Sequence, residues 1–226
     1  NHVVETIGEL LSRLQSPDFF EHEDAVKELG RYREDEAVAG LVLAIEDSDL
    51  GIRELAADFL TEIKGRTASE LLCRFLAHPD IGTRNLASEI LVRIGGEALD
   101  ALIEHLDDED ADVRKFAVDI LGLIRDERAV EPLCQKLWDE CSNVVCSAAE
   151  ALGEIGSAKA VPNLIAAGDK IDDVRLQSIE ALGKIGDASA LPYLYQAPFG
   201  ATECLIHGQY KVRQESDALH RAPPSA

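Results

Sequence analysis

A four-position register recurs six times through this chain and leaves little choice of architecture. Counted from Arg114, an alanine stands three residues on (Ala117), a leucine seven on (Leu121) and an isoleucine ten on (Ile124). Arg84 carries Ala87, Leu91 and Ile94 at the same offsets, and Arg53 carries Ala56, Leu60 and Ile63. Arg175 carries Ser178, Leu182 and Ile185. Val145 replaces the arginine ahead of Ala148, Leu152 and Ile155, and His22 replaces it ahead of Ala25, Leu29 and Tyr32. The anchors at 22, 53, 84, 114, 145 and 175 set a period of 30 or 31 residues. Self-similarity at a fixed period of this length marks a stack of like units, each touching its neighbours.

The offsets have a physical reading. Positions 3, 7 and 10 lie on one face of a 3.6-residue helix. A small alanine lets the neighbouring helix approach, while leucine and isoleucine fill the space between helices. Gly30, Gly122, Gly153 and Gly183 follow the leucine. Gly95, Gly156 and Gly186 follow the isoleucine, where a helix must end and glycine turns left-handed at least cost. Pro132, Pro162 and Pro192 open a second helix, where the missing N–H costs nothing. The clearest copy, residues 110–137, therefore predicts an acidic turn, an amphipathic helix, a tight turn and a second amphipathic helix.

This register divides the chain into an N-terminal cap helix (1–17), six repeats (18–47, 48–79, 80–109, 110–140, 141–168 and 169–197) and a C-terminal segment (198–226). The cap follows from apolar residues at 4, 7, 10, 11 and 14, one helical face. Ser16-Pro17-Asp18 also matches His78-Pro79-Asp80 two repeats later, so this helix reads as the second helix of a half-repeat. The last segment lacks the register and reads as a loose tail, or as a cap laid by Cys204, Leu205, Ile206 and Tyr210 over repeat six.

The pattern DVR-x2-A-x3-LG-x-IG followed by AVP-x-L resembles the HEAT repeat family, in its short phycobilin-lyase-type form, over roughly residues 18–197. The resemblance implies an all-α fold: a right-handed α-α superhelix of about six helix pairs, with the second helix of each pair lining the concave side. It is specific for fold and unspecific for function.

Charge narrows the partners. The chain has 22 Lys and Arg against 43 Asp and Glu, a net charge of −21. Nucleic acid and anionic membrane would both be repelled. A basic protein surface would be attracted, although solubility alone also explains such a balance. The five cysteines are irregularly spaced and odd in number, which argues against a disulfide framework and for a reducing, cytoplasmic setting. No apolar run reaches membrane-spanning length and no signal peptide is visible. With no methionine in the chain, residue 1 does not read as a native start, so a removed leader stays open.

Four constellations invite chemistry and fall short of it. His22-Glu23 occupies the slot where the HEAT-like deoxyhypusine hydroxylases carry iron-binding His-Glu pairs. Here the other copies read Arg53-Glu54, Arg84-Asn85, Arg114-Lys115, Val145-Cys146 and Arg175-Leu176, and one pair cannot enclose two metals. His22 thus reads as an exposed substitution at the arginine slot. Cys134, Cys141 and Cys146 lack metal-knuckle spacing. The acidic turn 107–110 with Asp112 has no mid-loop glycine and no closing glutamate for calcium. These acids read as helix N-caps, as do Asp47-Ser48-Asp49 and Asp172-Asp173. The repeated arginines read as bridges to an acid or carbonyl of a neighbour. No nucleophile-base pair, phosphate loop or Ser-His-Asp set stands out, so no catalytic residue, cofactor or metal is expected.

The second-helix surface is the remaining candidate. One position per repeat gives Ala39, Glu70, Asp100, Glu131, Pro162 and Pro192, and the next turn gives Leu43, Arg74, Glu104, Gln135, Ala166 and Gln196. Adjacent helices lie about 8–10 Å apart, so Glu70, Asp100, Glu104 and Glu131 would form a stripe. Trp138, the single tryptophan, closes the row as an aromatic anchor. The expected function is a non-enzymatic scaffold that binds a basic partner protein through Glu70, Arg74, Asp100, Glu104, Glu131, Gln135 and Trp138. The alternatives are a phycobilin lyase-like or phycobilisome-associated factor, implied by the repeat subtype alone, and an acidic immunity or inhibitor protein against a basic toxin.

Overall fold

A helix start leaves its first N–H groups without partners, and a preceding carboxylate can supply them. Asp18 accepts from the Phe20 N–H at 3.0 Å. Asp49 accepts from Gly51 and Ile52 at 2.7 and 3.2 Å. Asp80 accepts from the Thr83 N–H at 2.7 Å. These three residues open α2 (Phe19–Leu29), α4 (Leu50–Ile63) and α6 (Ile81–Ile94). Asp172 and Asp173 behave differently. They lie in a 3-10 turn that offers no side-chain cap, and Asp172 pairs with Arg175 at 2.7 Å instead.

The computed structural model describes residues 5–196, and among these there are helices and 3-10 turns but no strand. The remaining helices are α1 (Ile7–Arg13), α3 (Asp35–Ala44), α5 (Gly65–Arg74), α7 (Leu99–Glu104), α8 (Ala111–Ile124), α9 (Val130–Lys136), α10 (Ser142–Ile155), α11 (Val161–Lys170), α12 (Arg175–Ile185) and α13 (Leu191–Gln196). Six pairs, from α2/α3 to α12/α13, thus follow α1 in chain order. The expected cover by residues 204–210 lies outside the described residues.

The chain divides into two compact units, with the boundary inside α8 between Ile120 and Leu121. In the first unit α2, α4 and α6 pack side by side as one layer, and α1, α3, α5 and α7 form the other. α1 thus takes a second-helix place, against α2 and α3. In the second unit α10 packs on α12, with α9 and α11 against them.

The core lies between the layers. Offset 3 (Ala25, Ala56, Ala87, Ala117, Ala148 and Ser178) and offset 7 (Leu29, Leu60, Leu91, Leu121, Leu152 and Leu182) are completely buried. Offset 10 is weaker. Ile94 is buried, but Ile63, Ile124, Ile155 and Ile185 are only half-buried, although all five end their helices.

Two backbone positions carry the repeat geometry. At Gly153 a Cβ would meet the Ala181 Cα at 2.8 Å, so α10 and α12 touch backbone to backbone. Gly183, one repeat later, has nothing within 4 Å of the same point. We therefore expect Gly153→Ala to destabilise the fold by about 1–3 kcal/mol through overpacking. Gly183→Ala should be neutral or stabilising by about 0.5–1 kcal/mol through helix propensity, and paired urea melts would read the contrast.

The second position is the one after the offset-10 residue, where in every copy after the first the chain turns with positive φ: +74° at Gly95, +76° at Gly156 and +69° at Gly186. Lys64 and Arg125 occupy it in the other copies, at 55° and 58°. Lys64 also has ψ −149°, close to the −136° of Gly95 and in a region that suits glycine. Lys64→Gly should therefore raise the urea midpoint, with a gain of about 1 kcal/mol.

Candidate functional site

Glu70 and Arg74 lie on α5, and Asp100 and Glu104 on α7, two second helices that pack together in the first unit. Glu70 is half-buried and the other three are exposed. Arg66 lies one turn before Glu70 on α5. The Arg66 Nε donates to the Glu70 carboxylate. That bond and the Glu70 charge, followed by the charges of Glu104 and Asp100, raise the pKa of Arg66. Glu70 contacts Arg66 directly, while Asp100 and Glu104 act on it through charge alone. Glu97 turns to the Gly65 N–H at 3.1 Å, and Asp35 accepts from the Thr67 hydroxyl at 2.6 Å.

Cys73 forms the apolar floor beneath the acids. Burial, then the Glu104 and Glu70 charges, push its thiol up to about 12. It therefore stays a neutral thiol, the opposite of what a nucleophile or metal ligand requires. On α3 the corresponding second-turn position is Leu43, 60% exposed, so the acidic surface has an apolar neighbour.

In the second unit Glu131 and Gln135 are exposed on α9, and Trp138 follows that helix at 47% exposure. The Lys170 ammonium, at the end of α11, stands 5.5 Å from the Trp138 ring centroid. The aromatic face is thus partly engaged by a cation of its own chain. Burial, then Glu131, raise the Cys134 thiol to about 11.

Sequence reasoning passed over Arg66 and Lys170. The i, i+4 spacing of Arg66 to Glu70 was a visible signal. Lys170 lies a full repeat beyond Trp138, and only the register could have pointed to it.

The cysteines Cys73, Cys134, Cys141 and Cys146 are free thiols. Among the described residues no three His, Cys, Asp or Glu side chains gather as a metal site requires. His22 departs from the expectation of an exposed side chain. It is 18% exposed, with Nδ1 2.7 Å from an Asp47 carboxylate oxygen and Nε2 against the Ser16 carbonyl. An open groove of about 1210 Å³ lies between α1 and α2. Its charges are largely paired internally, as in Arg13 with Glu5 and Arg31 with Glu28. No helix among the described residues is long and apolar enough to cross a membrane.

Comparison with known proteins agrees with the helix-pair architecture. The family described as HEAT repeats matches residues 7–93 and 99–175, and the PBS lyase HEAT-like repeat matches residues 174–197. No curated protein sequence matches the chain. Among solved structures, the complex of CpcE and CpcF of phycocyanin lyase from Nostoc sp. PCC7120 is 25% identical, at TM-score 0.41, covering 97% of this chain and 96% of that one. Human deoxyhypusine hydroxylase is 20% identical, at TM-score 0.42, covering 89% and 84%. Importin beta is 17% identical, at TM-score 0.49, covering 80% of this chain and 30% of that one.

Proposed function

Because the chain belongs to the HEAT repeat family, we propose that it is a non-enzymatic scaffold whose second-helix surface binds a basic partner protein. One observation carries the reading: on the packed pair α5 and α7 the acids Glu70, Asp100 and Glu104 outnumber the basic residues Arg66 and Arg74, and so leave net negative charge on adjacent helices. An incoming lysine or arginine side chain would find carboxylates only partly neutralised. Such attraction speeds encounter and is screened by salt. Exposed Leu43 in the first unit, and Trp138 in the second, offer apolar contact that would lengthen residence. Under this reading the chain needs no cofactor, and Cys73 contributes packing.

The phycobilin lyase-like alternative rests on the repeat match over residues 174–197, which concerns the repeat type and not an activity.

An octapeptide of alternating lysine and arginine is a suitable probe, with a glutamate-serine octapeptide as control. The full chain should bind the basic peptide and ignore the acidic one. Glu104→Lys should slow association on the order of fivefold in dilute buffer, and half-molar salt should erase the difference. Equal binding of both peptides, or no effect of Glu104→Lys while a charge reversal on the first-helix surface weakens binding, would refute the assignment.

A further inference from the structure

His22 has no neutral state that satisfies its surroundings. Its Nε2 faces the Ser16 carbonyl, which only accepts, and its Nδ1 faces Asp47 at 2.7 Å. The other Asp47 oxygen already accepts the Asp49 N–H at 2.9 Å, so this carboxylate too is an acceptor. Two acceptors require a proton on each ring nitrogen, and only the imidazolium carries both.

The repeat register shows what this position does elsewhere. Arg53 donates to the Ile45 carbonyl at 2.8 Å and reaches forward to the Thr83 hydroxyl at 2.8 Å. Arg114 donates to the Asp108 carbonyl at 2.9 Å, and Arg175 to the Gly168 carbonyl at 3.1 Å. Arg84 stands 5.7 Å from the Phe116 ring centroid and Val145 carries no charge, but Arg53, Arg114 and Arg175 thus clasp the segment before their own helices with a fixed positive charge. His22 does the same for the segment leaving α1, and reaches forward to Asp47 as Arg53 does to Thr83. Histidine alone in this set titrates near neutral pH.

We propose that His22 is a titratable latch: as the imidazolium it fastens α1 and the 14–18 connection onto the first helix pair, and on losing its proton it releases them. α1 is suited to such release. It spans seven residues and buries only Leu10 among its side chains, with Leu11 seated against Gly40. Helices with so little burial open at low cost.

The surrounding charges set the direction. Burial works against the charged ring, but the Ser16 carbonyl, then Asp47, then the charge of Asp18 outweigh it and raise the His22 pKa above its ordinary value. Other charged groups on the packed elements are engaged elsewhere. Arg13 of α1 pairs with Glu5 and Asp24. Arg53 of α4 holds Ile45 and Thr83. Glu46 pairs with His78, Asp49 caps α4, Asp35 of α3 holds Thr67, and Glu23 holds Lys27. With the folded pKa raised, the latch is fully closed below the unfolded histidine pKa and is lost as pH climbs through the folded value.

Two measurements on the full chain test this. The His22 ring proton, followed by NMR, should titrate above the ordinary histidine range. Hydrogen-exchange protection factors of the α1 and α2 amides should fall as pH passes that value, by up to about tenfold per pH unit, while α10 and α12 amides stay level. His22→Arg, which restores the permanent cation of Arg53, Arg114 and Arg175, should keep α1 protected and flatten the pH response. His22→Gln should leave α1 open at every pH. Titration at or below the ordinary value, or a His22→Arg protein with the same pH response as the parent, would overturn the proposal.

Discussion

Alanine at offset 3, replaced only by Ser178, and leucine at offset 7, all without exposed surface, are what the other features rest on. A small residue one turn before a large one lets the second helix sit close, and the leucine then fills the gap between the layers. Because this contact recurs, each helix pair is built on its neighbour and none can bury its apolar face alone. The backbone contact at Gly153 is the same rule at its limit, where even a methyl group would part α10 from α12.

Packing fixes the spacing, and charge fixes the joints. In four of the six copies the slot residue ties down the segment before its helix, through a guanidinium at Arg53, Arg114 and Arg175 and through an imidazole at His22. The acids divide by position. Asp18, Asp49 and Asp80 serve as N-caps, while Glu70, Asp100 and Glu104 stand on second helices, where local structure consumes only part of their charge. The proposed scaffold role rests on the acids of α5 and α7, in a chain of −21 net charge.

The fold was legible because it rests on periodicity, which needs no partner information. Burial at offsets 3 and 7 follows directly from helical geometry. Lys64 and Arg125 were not legible as left-handed turns, since neither residue favours that conformation; the path of the following helix imposes it. Asp172 and Asp173 resembled caps, but the turn before α12 is a 3-10 turn and Arg175 captures Asp172. At the candidate site the helices carrying Glu70, Asp100 and Glu104 could be read from the register. The cation over Trp138 and the two acceptors around His22 depend on side chains reaching between helices or across a repeat, which spacing alone does not reveal.

If the second-helix layer is the binding surface, a partner should perturb that layer first. A nitrogen-15 chemical-shift map of the full chain, titrated with the lysine-arginine octapeptide, addresses it residue by residue. Shifts should concentrate on α5 and α7, centred on Arg66, Glu70, Asp100 and Glu104, with α4 and α6 silent on their outer faces. Shifts confined to α4 and α6, or scattered evenly over every acidic residue, would contradict it.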